Sequence, residues 1–296
     1  NRAAFNRGWY LLNQGKIQDG YKLLDRGRKA DVFGNNPPQT PAPKWDGLSV
    51  GTILLYLEGG LGDQIHQIRY AKYIAEKGNK VVVCCTGSLI QMFSKLDYVT
   101  ALVQHGAEYG VYHDYWVAGM SAIIPLGYEL EDISGSPYIN KPSVDKNKKF
   151  TIGLRWQGNP AFEHEHLKLF PPELLFEAVK DFDVEYISLQ RDEGSQHCPQ
   201  WVKQVPLQSW DDTQHAVSQC DLVISSCTSV SHLSAAMGVE TWVITPILPY
   251  FLYALDGEKT PYYDSMKIIR QTVFESWIEP FEVVREKLIE KGLLKQ

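Results

Sequence analysis

Residues 51–78 read GTILLYLEGGLGDQIHQIRYAKYIAEKG, and the fold follows from this stretch. Ile53, Leu54, Leu55, Tyr56 and Leu57 form an unbroken apolar run, which suits a strand buried on both faces of a parallel sheet. Gly59, Gly60 and Gly62 let the backbone turn sharply and leave room for close approach. Leu61, Ile65, Ile68, Ala71 and Ala75 then recur at helical spacing, and Gly78 is placed to end the helix. A strand, a glycine turn and a helix in that order predict a βα unit. Asp63 falls in the first helical turn, at the carboxyl end of the strand, where open α/β sheets carry their reactive groups.

The same alternation extends downstream. KVVVCC at 80–85 predicts a second buried strand, 89–96 a helix and 101–104 a third strand, whereas 113–125 (HDYWVAGMSAIIP) reads as a loop carrying exposed groups. Residues 135–142 and the charged run 145–149 mark a boundary. The pattern then restarts, with strands at 150–156, 185–189, 222–225 and 241–244, helices at 172–181, 212–219 and 229–237, and an amphipathic helical segment at 274–295. Two successive series predict an α/β protein with two Rossmann-like halves facing a cleft. Upstream, residues 2–29 read as two short helices, with Phe5, Trp9 and Leu12 on one face and Ile17, Tyr21 and Leu24 on the next. Gly8, Gly15, Gly20 and Gly27 punctuate them, a pattern open to two readings: one degenerate tetratricopeptide repeat, or a plain helical hairpin docked on the main body. The segment 31–45 is rich in Pro, Asn and Gly and reads as an extended linker. The expected domains are therefore 1–48, hairpin and linker; 49–145, an N-terminal Rossmann-like domain; and 146–296, a C-terminal Rossmann-like domain.

Composition narrows the function. At 296 residues with 44% hydrophobic and 22% charged, the chain can build two cores and is not of disordered type. Its 29 basic residues against 35 acidic ones give a net charge of −6, which argues against a nonspecific nucleic-acid binder. No apolar run reaches the length of a membrane span and no signal peptide opens the chain, although it begins mid-pattern and leaves room for an upstream segment. Cys84, Cys85, Cys198, Cys220 and Cys227 are odd in number and lack a CxxC pairing, so reduced thiols in the cytoplasm are expected.

A second informative stretch is DLVISSCTSVSHLSAAMGVETWVITP at 221–246. A buried strand stops at Ser225-Ser226-Cys227, and Thr228 or Ser229 can cap a helix of small residues. Such a helix start offers N–H groups and a positive dipole end to a phosphate, and His232 lies one turn in. An ordinary capped helix with His232 packed at an interface fits the same residues. Between the two stretches runs IGLRWQGNPAFEHEHLK at 152–168, where Lys168 can act as a point charge on a phosphate. His164, Glu165 and His166 invite a metal, but adjacent loop residues rarely converge on one ion and no fourth ligand is evident, so no metal is expected.

GGLGDQIHQIRYA, GLRWQGNP, YISLQ, DLVISSCTSVSHLSAAMGVETWVITP and YYDSMKIIRQ, with GYKLLDRGRKA and PKWDG ahead of them, resemble in order the motifs of tetratricopeptide-linked glycosyltransferases. Those proteins are similar to lipopolysaccharide heptosyltransferases and more distantly to protein O-GlcNAc transferase. The resemblance covers nearly the whole chain. It implies a GT-B architecture and inverting, metal-independent sugar transfer without a cofactor. The donor would be a nucleotide-diphosphate sugar held mainly by the C-terminal half, and the acceptor a glycan, lipid-linked or protein hydroxyl. By position, Asp63 matches the general base, with His66, Gly60 and Gly62 on the acceptor side. Lys168 matches a basic contact to the donor diphosphate; Thr228, Ser229 and His232 match the phosphate cradle; Gln190 borders the nucleotide; Trp156, Gln157 and Asn159 would line the cleft near the donor. Cys227 stands where relatives commonly carry Asp, Lys168-Leu169 replaces Arg-Ser, His66 replaces Gln, and 248–255 lacks a Trp-Arg-Trp character. These departures bear on donor choice. They also keep two other readings in play, a nucleotide-sugar epimerase of the same architecture and a non-catalytic sugar- or partner-binding module.

Overall fold

The computed structural model describes residues 1–34, 36–144, 149–160 and 165–295. The chain divides into two compact units, Asn1–Asn140 and Lys141–Gln296. The expected junction at 145/146 lies outside the described residues.

In the first unit a helical pair, α1 (Arg2–Leu12) and α2 (Ile17–Asp25), precedes β1 (Thr52–Tyr56), α3 (Leu61–Gln67), α4 (Arg69–Glu76), β2 (Lys80–Cys85), α5 (Ile90–Phe93), β3 (Ala101–Gln104), β4 (Tyr115–Ala118) and α6 (Ile123–Leu126). The four strands are parallel in the order β3-β2-β1-β4. Leu54, Tyr56, Val82, Cys84, Val103 and Trp116 pack on one face, and Ile53, Leu55, Val81 and Val83 are buried on the other, which explains why β1 and β2 are apolar without alternation after their first residues, Thr52 and Lys80. Order reverses between β1 and β4, so the switch point lies beside the glycine turn.

Several expectations are corrected. The helix after the glycine turn is two segments, α3 and α4, interrupted at Ile68; Gly78, with φ +86°, ends the second. The helix expected over 89–96 shrinks to a 3-10 turn at Gly87–Leu89 and the four residues of α5. The region 113–125, expected as a loop, holds β4 and α6. Only four residues long and at the sheet edge, β4 carries too little pattern to be read alone. The linker is extended but engaged: Trp45 N–H donates to Trp116 O (2.8 Å) and Trp116 N–H to Pro43 O (3.1 Å), so it joins the outer edge of β4.

The second unit runs β5 (Thr151–Arg155), α7 (Pro172–Val179), β6 (Glu185–Ser188), β7 (Lys203–Gln204), α8 (Trp210–Ser218), β8 (Leu222–Ser226), α9 (Ser229–Ala236), β9 (Glu240–Thr245), β10 (Met266–Arg270) and α10 (Ile278–Glu290). Its sheet is parallel throughout in the order β10-β9-β8-β5-β6-β7, the doubly wound arrangement, with the switch point between β5 and β8. Ile152, Leu154, Leu222, Ile224, Trp242 and Ile244 form a core covered by α7 and α10 through Phe176, Phe281 and Val284. No helix among the described residues is long and apolar enough to cross a membrane. None of the five cysteines is in a disulfide, and burial pushes the Cys85 thiol up to about 12.

Candidate functional site

Ligands of open α/β sheets bind beyond the carboxyl ends of the strands at the switch point. In the second unit that point is flanked by the loop leaving β5 and the turn leaving β8. The β5 loop is built on Gln190: its side-chain oxygen accepts from Trp156 N–H (3.2 Å) and Gln157 N–H (3.0 Å), and its amide nitrogen donates to Gln157 O (3.2 Å). Arg155 donates to Leu189 O (3.1 Å) and pairs with Asp192 (2.7 Å); burial holds this guanidinium below the usual arginine range despite that partner. Further along, Gly158 N–H donates to Glu165 (2.7 Å), whose other oxygen lies 3.0 Å from Lys168 Nζ.

Lys168 Nζ also donates to Cys227 O (3.1 Å), across 59 positions of sequence. This bond brings the loop cation to the start of α9. Thr228, with extended φ −137° and ψ 173°, occupies the cap position, but its hydroxyl makes no cap; Thr228 Oγ1 shares a hydrogen bond with Ser225 Oγ (3.2 Å). The expected side-chain cap is therefore absent, and the positive end of α9 keeps its first-turn amides out of the grip of the cap side chain. Cys227 and Ser229 are half-buried on either side of Thr228. Ser226 Oγ and Thr245 Oγ1, on neighbouring strands at this edge, are buried with no hydrogen-bond partner among the described residues.

Three of the residues expected on the donor side have protein partners in this arrangement. Trp156 does not line an opening: it is 1% exposed, stands edge-on to Phe176 (5.1 Å between ring centres), and its indole N–H donates to Gly194 O (3.0 Å). Gln190 spends its amide on the backbone of 156–157. His232 has Tyr263 Oη at 2.9 Å from Nδ1 and Tyr253 Oη at 3.1 Å from Nε2, so both ring nitrogens already face phenols. With Arg270 donating to Leu255 O (3.2 Å) and Thr260 to Leu252 O (2.6 Å), His232 clamps the segment 250–263 against α9. Gln157 is half-buried and Asn159 exposed, both still accessible to a ligand. Arg155, Asp192 and Tyr253 were given no role from the sequence, Glu165 was weighed only as a metal candidate, and Tyr263 and Arg270 entered only within a quoted motif; Arg155 carried a signal, as a charge ending a buried strand.

In the first unit, Gly59 turns the chain with φ +75°, and a Cβ there would meet Asp63 Oδ2 at 2.8 Å. Asp63 is half-buried at the third position of α3 and accepts from Gly60 N–H (2.9 Å), closing the helix start. Gln64 bridges Gly59 O (3.2 Å) and Thr86 Oγ1 (2.8 Å). His66 is buried edge-on to Tyr70, 6.2 Å between ring centres, rather than presented at the surface. As for a metal, among the described residues no three His, Cys, Asp or Glu side chains gather; His164 of the suspected trio lies outside them, and Glu165 is turned to Gly158 and Lys168.

No protein-family model matches the sequence, and no curated protein matches it by sequence. Solved structures do match in fold. The Escherichia coli heptosyltransferase WaaC with ADP shares 12% identity at a TM-score of 0.61, over 81% of this chain and 99% of that one. The E. coli ADP-heptose LPS heptosyltransferase II shares 11% at 0.58, over 81% and 99%. A glycosyl transferase of family 9 from Veillonella parvula shares 10% at 0.58, over 84% and 97%. Two parallel α/β units, their strand orders and these likenesses together establish a GT-B-type fold with an added N-terminal helical region.

Proposed function

We propose that the protein is a glycosyltransferase that moves a sugar from a nucleotide-diphosphate donor to an acceptor hydroxyl. The observation that carries this reading is the bond from Lys168 Nζ to Cys227 O, which joins a side-chain cation to the uncapped positive end of α9 at the switch point of the second unit. A diphosphate leaving group develops negative charge as it departs, and a preset ammonium with directed N–H groups stabilises it. The fold-level likeness to heptosyltransferases, one of them with ADP, supports the same donor class.

In the reaction, the acceptor O–H gives its proton to the Asp63 carboxylate as its oxygen attacks the anomeric carbon. The bond from that carbon to the diphosphate oxygen breaks with inversion, and the nucleoside diphosphate leaves with the electron pair. No metal is needed where Lys168 and α9 take up that charge. Gln157, Asn159 and Ser229 are the accessible donor-side groups, with Gly60 and Gly62 on the acceptor side. The helical pair α1–α2 is read as a single tetratricopeptide-like repeat and the protein as cytoplasmic; the sequence resemblance supports the first, and cysteines held as thiols rather than disulfides support the second.

Calorimetry tests the donor assignment. Lys168→Ala weakens nucleoside-diphosphate binding by about 1.5–3 kcal/mol, the worth of a hydrogen bond to a charged group, and leaves the nucleoside alone bound as before. Unchanged diphosphate affinity removes Lys168 from the site.

A further inference from the structure

Glu58 stands two residues past β1 and one before Gly59, and it is 0% exposed. A carboxylate so placed is tolerated only when paired and hydrogen-bonded. Its main partner comes from the segment just after α2. Arg28 grips it with two prongs, Nη1 to Oε1 at 2.5 Å and Nη2 to Oε2 at 2.7 Å, and Met120 N–H donates to Oε2 at 3.0 Å. The main chain of Glu58 is fixed as well, its N–H donating to Gln67 Oε1 (2.9 Å) and its carbonyl accepting from Gln67 Nε2 (3.0 Å). Arg28 is itself oriented by Asp25 (2.8 Å) and Ser121 (3.0 Å) and lies over the Phe33 ring at 5.2 Å. Gly34 seals the pair from above: its φ is +72°, and a Cβ there would sit 2.1 Å from Arg28 Nη1 and 2.7 Å from Glu58 Oε1.

We propose that Arg28 is a positioning residue for the glycine turn that carries Asp63, so that the N-terminal hairpin is a working part of the acceptor-side site rather than an attachment to it. The links are continuous: Arg28 fixes Glu58, Glu58 fixes the exit of the chain into Gly59, and the next residue, Gly60, donates to Asp63 Oδ2. The hairpin has other anchors, among them Gln18 donating to Ile123 O (2.7 Å) and the buried Leu12, Ile17, Tyr21 and Leu24. A buried ion pair adds little net stability beyond such contacts; what the two-pronged grip supplies is orientation. The catalytic half of this inference rests on reading Asp63 as the base; the structural half does not.

The test is hydrogen exchange on the full chain, followed by mass spectrometry of the 57–64 region, for Arg28→Met, Arg28→Lys and Glu58→Gln. Arg28→Met speeds exchange across 59–63 by about tenfold or more while β1 and β2 stay protected, as expected for a local opening. Arg28→Lys, which keeps the charge but not the fork, recovers part of that protection. Transfer by Arg28→Met loses kcat by about tenfold or more at unchanged donor KM, the signature of a displaced catalytic group. Unchanged exchange at 59–63, or a loss spread evenly over the first unit, overturns the proposal. If Arg28→Met does not fold, Glu58→Gln, which keeps an acceptor for Met120 N–H, decides by the same exchange pattern. If the wild-type chain transfers no sugar, the function fails while the exchange result still decides the positioning role.

Discussion

Asp63 and His66 lie within one helical turn of each other, and their surroundings differ. Asp63 is half-buried at the helix start with one oxygen on Gly60 N–H, whereas His66 is buried against Tyr70. Asp63→Asn keeps an acceptor for Gly60 N–H, so the turn survives and only the base is lost; transfer falls about 10²–10⁴-fold with donor binding intact. His66→Gln keeps most of the rate. Steady-state kinetics on the two variants check this, and the reverse pattern moves the role to the histidine. The place of Asp63 at the helix start could be read from sequence because the strand, the turn and the carboxylate are contiguous. The site around Lys168 was legible only in pieces. Nothing in the sequence joins Lys168 to Cys227, and the tyrosines that occupy His232 lie 21 and 31 residues further on. Trp156 shows the converse difficulty: an aromatic at a strand end has the same spacing whether it faces ligand or core, and packing against Phe176 decides.

At the scale of elements, the interior strands β1 and β2 were plain from their apolar runs, β2 to the residue, and the edge strand β3 was also placed to the residue. The other edge strands were not. β4, β7 and β10 are short or flanked on one side only, and their partners are set by register with a neighbour rather than by their own pattern. The helical hairpin has a distinct vulnerability. Burial alone raises the Asp25 carboxyl, but hydrogen bonds from Ser121 and Arg28 outweigh it and hold the group below the usual carboxylate range. A pKa depressed on folding contributes stability above the unfolded value of about 3.9 and loses it as pH falls through the folded value. The thermal midpoint of the wild-type chain therefore drops more steeply than that of Asp25→Asn as pH is lowered from about 5 to about 3, with the two converging at the acid end. Parallel curves contradict this electrostatic role for Asp25.

For the molecule as a whole, a net charge of −6 is compatible with the proposed donor site, which rests on Lys168 and a helix end rather than on a broad basic face. Because Lys168 and α9 carry the leaving-group charge in this account, transfer proceeds unchanged in excess EDTA; activity abolished by the chelator and restored by a divalent ion contradicts that chemistry. The central claim, donor turnover with Asp63 as base, is tested most directly by incubating wild-type and Asp63→Asn chains with a panel of nucleotide sugars and measuring donor-induced Tm shift, nucleoside-diphosphate release and the sugar product together. The account predicts one donor class that raises Tm in both chains by mass action and is turned over to nucleoside diphosphate by the wild type alone. Release undiminished in Asp63→Asn, or conversion of the donor to an epimer with no diphosphate released, would contradict it.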